Sequence, residues 1–132
     1  MTNEQILREA LACFADPARR EAYFQLYSDD VVIHGYAGLE PGLDNVKAFY
    51  HHGIWAAFPD AAVRIEDLIN GEDRIAVRFT LSGTHRGPFQ SIPATGRNIA
   101  LKGMTILRFA GGKCVERWAM ADFADLMAQL TA

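Results

Sequence analysis

The chain has no surplus of positive charge. Its 13 Lys and Arg are outnumbered by 16 Asp and Glu, for a net charge of −3. The basic residues sit singly, as at Arg8, Lys47, Arg64, Lys102 and Lys113. Binding a duplex requires a basic stripe that displaces counterions from phosphates, so nucleic acid is excluded as a partner. Long apolar runs are also missing. Stretches such as Ile54–Phe58 fall far short of the ~18–20 residues of a membrane span, and no basic segment followed by an apolar one opens the chain. The sequence therefore reads as cytoplasmic, with no membrane partner. Cysteine is scarce: Cys13 and Cys114 are the only two, with no C-x-x-C. This is neither a disulfide framework nor a zinc site, and two buried thiols are expected. The adjacent pair His51-His52 falls inside a helical pattern, where the two side chains diverge by about 100°, and H-x-H and H-E-x-x-H spacings are absent. No G-x-S-x-G elbow or phosphate-binding glycine fingerprint occurs. Neither metal nor cofactor is expected.

The 132 residues suffice for one domain, 1–132, and half of them are hydrophobic. Thr2 with Gln5 forms a capping box for a helix carrying Ile6, Leu7, Ala10, Leu11 and Phe14. Asp16-Pro17 starts a second helix, predicted to run to about Tyr27. Ser28-Asp29-Asp30 is turn chemistry before a short strand, Val31–His34. A glycine-rich loop follows, and a third helix is predicted from Asp44 to Phe58. From Ala62 the period becomes two. Strands are expected over 62–69, 74–85, 98–109 and 114–121, with Asn70-Gly71 and Gly111-Gly112 as turns. Asp122 caps a last helix bearing Phe123, Leu126, Met127 and Leu130. Helices followed by a strand meander define an α+β fold.

Three side chains draw attention as chemistry. His34 ends a strand at a glycine-rich loop and titrates near neutral pH, which suits a general acid or base or a backbone-bonded structural histidine. Asp122 shares strand parity with Glu116, Trp118 and Met120, a set that describes an apolar pocket with an ionisable group, although Asp is equally a preferred N-cap. His85, in Gly83-Thr84-His85-Arg86-Gly87, lines a pocket or holds a bend.

Beyond these residues, L-Y-S-D-D-V-V-I-H-G at 26–35, A-F-P-D at 57–60 and G-E-D-R-I-A-V-R-F-T-L-S-G-T-H-R-G at 71–87 form a recognisable series. P-A-T-G-R at 93–97 and G-G-K-C-V-E-R-W-A-M-A-D at 111–122 complete it. The chain resembles the SnoaL-like polyketide cyclase or ester cyclase family of the nuclear transport factor 2-like superfamily. That resemblance implies a cone-shaped, curved antiparallel sheet wrapped around N-terminal helices, a homodimer and an apolar pocket. It also implies metal-free and cofactor-free aldol ring closure with an aspartate, here Asp122, as acid/base. His34 would polarise the substrate oxygen. The strand before the final hairpin, which carries polar side chains in family cyclases, offers only Thr105 within Gly103–Leu107. The patterns of ketosteroid isomerase-like and limonene epoxide hydrolase-like enzymes are not met, since His34-Gly35 replaces an early carboxylate and Arg78 has no aspartate two residues away.

The resulting expectation is a homodimeric cyclase or isomerase-like protein acting on a small hydrophobic carbonyl compound. Asp122 and His34 are its catalytic pair, and Tyr36, Trp55, Phe58, His85, Met104 and Trp118 its pocket wall. The alternative is a non-catalytic small-molecule carrier of the same fold.

Overall fold

A computed structural model describes all 132 residues. The first helix, α1 (Asn3–Phe14), opens on the reciprocal cap: Gln5 N donates to Thr2 Oγ1 at 3.1 Å and Thr2 N donates to Gln5 Oε1 at 2.8 Å. It buries Leu7, Ala10, Cys13 and Phe14 on one face. Asp16 Oδ1 accepts from Ala18 N and starts the next helical segment. That segment is broken where a single helix to Tyr27 was expected. A 3₁₀ turn at Pro17–Arg19 leads into α2 (Arg20–Tyr23), and a second one covers Phe24–Leu26. The first strand, β1 (Tyr27–His34), then begins at once. Ser28–Asp30 therefore belongs to a strand, not a turn. It occupies the irregular stretch between the Tyr27↔Cys114 and Val32↔Glu116 pairings, where an edge strand needs little apolar surface.

The third helix starts close to the expected position as α3 (Leu43–Ala48), widens into a π turn over Phe49–Ile54, and closes with α4 (Trp55–Ala57). Widened turns of this kind re-aim side chains. Here Phe49, Tyr50 and Ile54 all face the interior space described below.

Four long strands follow: β2 (Ala62–Asn70), β3 (Arg74–Thr84), β4 (Asn98–Ala110) and β5 (Lys113–Ala121), before α5 (Phe123–Thr131). The sheet order is β1-β5-β4-β3-β2. The expected antiparallel pairing holds for β2 to β5, whereas β1 lies parallel to β5. Register shifts at Ile65/Asp67 and Arg108/Phe109 add local bend, and the sheet is curved and unclosed around the helices. Alternation then gives it two distinct faces. Val77, Phe79, Leu81, Leu101, Thr105, Leu107, Arg117 and Ala119 are turned inward and buried or nearly so. On the outer face Met104 and Met120 are 62% and 79% exposed. Both cysteines are buried and free, and burial raises the Cys114 thiol to about 11. No helix is long and apolar enough to cross a membrane.

Gly35 fixes how β1 joins the loop after it. Its φ is +107°, and a Cβ placed there would fall 1.8 Å from the carbonyl oxygen of Ala119. Only glycine permits both the backbone conformation and the close approach to β5.

Candidate active-site cavity

The helices and the concave face of the sheet enclose a cavity of about 60 Å³ free volume, several times what one water needs. Its wall is overwhelmingly apolar. Phe14 and Leu26 come from the helical side, Val77, Phe79, Leu101 and Leu107 from the sheet. The half-buried rings of Tyr36, Phe49 and Phe123 cluster at its rim, with Tyr36 stacked on Phe49 at 4.9 Å and edge-on to Phe123 at 6.0 Å.

One end of this apolar space is polar, and it is built around Arg117. The guanidinium is buried (7% exposed for the whole residue) and has no carboxylate partner. Its Nε donates to Thr105 Oγ1 at 2.8 Å, and its Nη1 donates to Tyr27 Oη at 3.1 Å and to Tyr50 Oη at 2.8 Å. Thr105 in turn donates to the carbonyl oxygen of Trp118 at 2.8 Å, which fixes its lone pair toward Arg117. Tyr27 and Tyr23 share a 2.6 Å hydroxyl contact. The Tyr36 ring centroid lies 5.9 Å from Arg117 Cζ.

The charge states follow from these neighbours. Burial alone would depress the Arg117 pKa, but the surrounding phenols Tyr50, Tyr27, Tyr36 and Tyr23 outweigh it, and the guanidinium stays charged. Burial raises the Tyr23, Tyr27 and Tyr36 pKa values, against the opposing pull of Arg117, so these phenols remain protonated at neutral pH. The result is a fixed cation among neutral hydroxyls in a low-dielectric space, a setting in which electrostatic contacts are strong.

The two expected catalytic residues lie elsewhere. The Asp122 carboxylate is exposed, accepts from Asp125 N at 3.0 Å as the N-cap of α5, and borders an open outer groove with Met104, Trp118 and Met120. His34 is on the same outer face, where its Nε2 is 2.8 Å from Glu116 Oε2 and its ring stacks on Trp118 at 5.5 Å. That contact and Arg108 hold the Glu116 carboxyl below its ordinary range. Strand parity grouped Glu116, Trp118, Met120 and Asp122 correctly, but their shared face is the convex one. Neither Asp122 nor His34 borders the inner cavity.

The expected wall residues divide similarly. Tyr36 lines the cavity. Trp55 is buried one layer behind it, between Phe14, Tyr23 and Tyr50, with Arg20 over its ring at 5.0 Å. Phe58 is core, packed on His85 and Phe89. His85 is fully buried, and its Nδ1 accepts from Thr95 N at 3.2 Å, so it anchors the 86–96 loop without reaching the cavity. Met104 and Trp118 face outward. Sequence reasoning missed Arg117, because an arginine within a strand reads as a solvated position. The signal was its parity with Cys114, after a bulge, and with Ala119, small inward residues that leave room for a long side chain.

A capping role for Asp122 has a measurable consequence. Asp122→Ala is expected to cost about 1 kcal/mol in chemical denaturation, with Asp122→Asn nearly neutral, and neither should change binding in the cavity.

The profile of the SnoaL-like polyketide cyclase family matches residues 5–130, and the chain belongs to that family. No curated protein matches it significantly. Among solved structures it is similar to IdmH from Streptomyces antibioticus, with 25% identity, both chains covered completely and a TM-score of 0.83. TsrD from Streptomyces laurentii is also 25% identical, with 96% of this chain and 92% of that one covered and a TM-score of 0.80. A SnoaL-like polyketide cyclase from Agrobacterium tumefaciens shares the fold at 22% identity and a TM-score of 0.79, with 98% of each chain covered.

Proposed function

We propose that this chain performs carbonyl chemistry of the cyclase or isomerase type on a small hydrophobic compound held in the inner cavity. Arg117 and the Tyr50 hydroxyl stabilise the oxyanion. The observation that carries this reading is the buried, carboxylate-free guanidinium at the polar end of an otherwise apolar cavity. Ring closure or isomerisation through an enolate places negative charge on the former carbonyl oxygen. Preorganised donors in a dry site stabilise that charge far more than water-exposed ones do. Tyr50 Oη accepts from Arg117, which leaves its own proton free to donate to such an oxygen.

The cavity wall contains no carboxylate. The α-proton is therefore taken up by water or hydroxide from solvent, while the charge left on the substrate oxygen is held by Arg117 and Tyr50. The same observation favours the carrier reading in one respect, since a carrier needs no base. Deuterium exchange at the α-carbon of cyclohexanone and acetophenone, followed by proton NMR, separates the two. The enzyme reading expects exchange well above the buffer rate, whereas binding of these ketones with exchange at the buffer rate supports the carrier.

We further propose that the outer sheet face pairs with a second copy of the chain. Ile69, Met104, Ile106 and Met120 are 67%, 62%, 42% and 79% exposed there, in a groove of about 1010 Å³. The groove carries charges of both signs, Arg64, Arg78 and Lys102 with Glu66, Asp67 and Asp122, so the patch is complementary to itself as a two-fold interface requires. Light scattering is expected to give a dimer for the native chain and a folded monomer for Met120→Asp. A monomeric native chain would overturn this pairing.

A further inference from the structure

Resting on the reading of the inner cavity as the ligand site, we infer that this site takes its ligand as a small organic monoanion and that Arg117 is the residue that reads the charge. The inventory of donors and acceptors at the polar end leads there. A guanidinium has five N–H donors. Thr105, Tyr27 and Tyr50 accept three of them, through Nε and Nη1. The two N–H groups on Nη2 have the Tyr36 hydroxyl as their one neighbouring acceptor, whose hydrogen bond with the guanidinium, together with the cation's charge, opposes the burial-driven rise of the Tyr36 pKa. One phenol oxygen leaves donor capacity on Nη2 for a ligand.

The hydroxyls add donors, not acceptors. Tyr50 Oη turns a lone pair to Nη1, and so its proton points away from Arg117. Thr105 spends its proton on the Trp118 carbonyl and its lone pair on Nε, and serves only to orient the guanidinium. Donors without acceptors thus converge on an apolar chamber with a full positive charge and no counter-charge among its lining residues. A neutral ligand would leave that cation uncompensated in a low-dielectric space. A ligand with one delocalised oxyanion neutralises it with charge-assisted hydrogen bonds, roughly twice as strong as neutral ones. The remaining wall, Leu26, Val77, Phe79, Leu101 and Leu107 among it, has nothing to offer a second charge. The ligand is therefore a monoanion with an apolar body. A carboxylate and the enolate of an acidic 1,3-dicarbonyl share this chemistry, and the second of these needs no base in the cavity.

Titration calorimetry of the native chain tests this. The probes are propionate, hexanoate and benzoate, each with its primary amide, together with 5,5-dimethylcyclohexane-1,3-dione, which is ionised at neutral pH. The expected result is binding of at least one anion at least about tenfold tighter than its neutral counterpart, with the preference abolished in Arg117→Met and partly kept in Arg117→Lys. A preference for the dione over every carboxylate would identify the enolate, and the reverse a carboxylate. Equal binding of acids and amides overturns the charge assignment while leaving the cavity as the ligand site. Binding of neither series overturns both. Anion binding undiminished in folded Arg117→Met places the anion site elsewhere and overturns the inference. The acid-to-amide comparison uses only the native chain, so it decides the matter even if the Arg117 variants do not fold.

Discussion

Arg117→Met is expected to slow α-carbon exchange of a bound ketone by about 10²- to 10³-fold, the loss typical of removing one preorganised oxyanion donor. Methionine keeps much of the side-chain volume and removes only the charge and the donors. The effect on folding should be far smaller. Two terms oppose each other: the variant loses three hydrogen bonds, to Thr105, Tyr27 and Tyr50, and is relieved of a desolvated, unpaired cation. Each lost hydrogen bond is worth about 1 kcal/mol and relief of the desolvated cation offsets part of that sum, so stability should fall by no more than about 2 kcal/mol. A large loss of exchange at nearly constant stability marks Arg117 as present for the ligand. A loss of stability without a loss of exchange would make it a core residue only.

The largest expected effect on stability belongs to a residue with no side chain. Gly35→Ala is predicted to cost at least about 3 kcal/mol, because it combines a disfavoured positive φ with a clash. At φ +107° the added Cβ would meet the Ala119 carbonyl at 1.8 Å. Relief requires β1 to move off β5, which breaks the parallel pairing at His34↔Trp118. In a domain of this size the melting temperature should fall by on the order of 10 °C. Gly38→Ala is the matched control. It has a similar φ of +79° with nothing within 4 Å of the new Cβ, so it carries the backbone strain alone. Equal melting temperatures for the two variants would show that contact with β5 is not what Gly35 provides.

These two residues also show where the sequence was legible. Element boundaries came from local chemistry that the structure retains, such as the Thr2–Gln5 box and the Asp16 cap. The period-two pattern of 74–85 and 98–109 likewise matches the buried faces of β3 and β4. The turn chemistry of Ser28-Asp29-Asp30 misled, because a bulged edge strand tolerates the same polar residues as a turn. For the candidate site, legibility ended at a different level. Alternation tells which side chains share a face, but not which face of a curved sheet is concave. In β5 both faces carry apolar residues, Trp118 and Met120 on one and Cys114 and Ala119 on the other. Choosing the face with the aromatic and the carboxylate put Asp122 and His34 in the pocket and passed over Arg117. The tyrosines that reverse the choice, Tyr27 and Tyr50, are 90 and 67 residues from Arg117 in sequence, and only the tertiary fold brings them together.

The proposed chemistry belongs to the inner cavity and not to the outer face. The most direct measurement is the α-carbon exchange rate of cyclohexanone with the native chain, Arg117→Met and Asp122→Asn, taken side by side under identical conditions. The expected result is a rate above buffer for the native chain, its near-complete loss in Arg117→Met, and retention within about threefold in Asp122→Asn, since Asn caps the α5 helix about as well as Asp. Retained exchange in Arg117→Met with loss in Asp122→Asn would contradict it and return the acid/base role to Asp122.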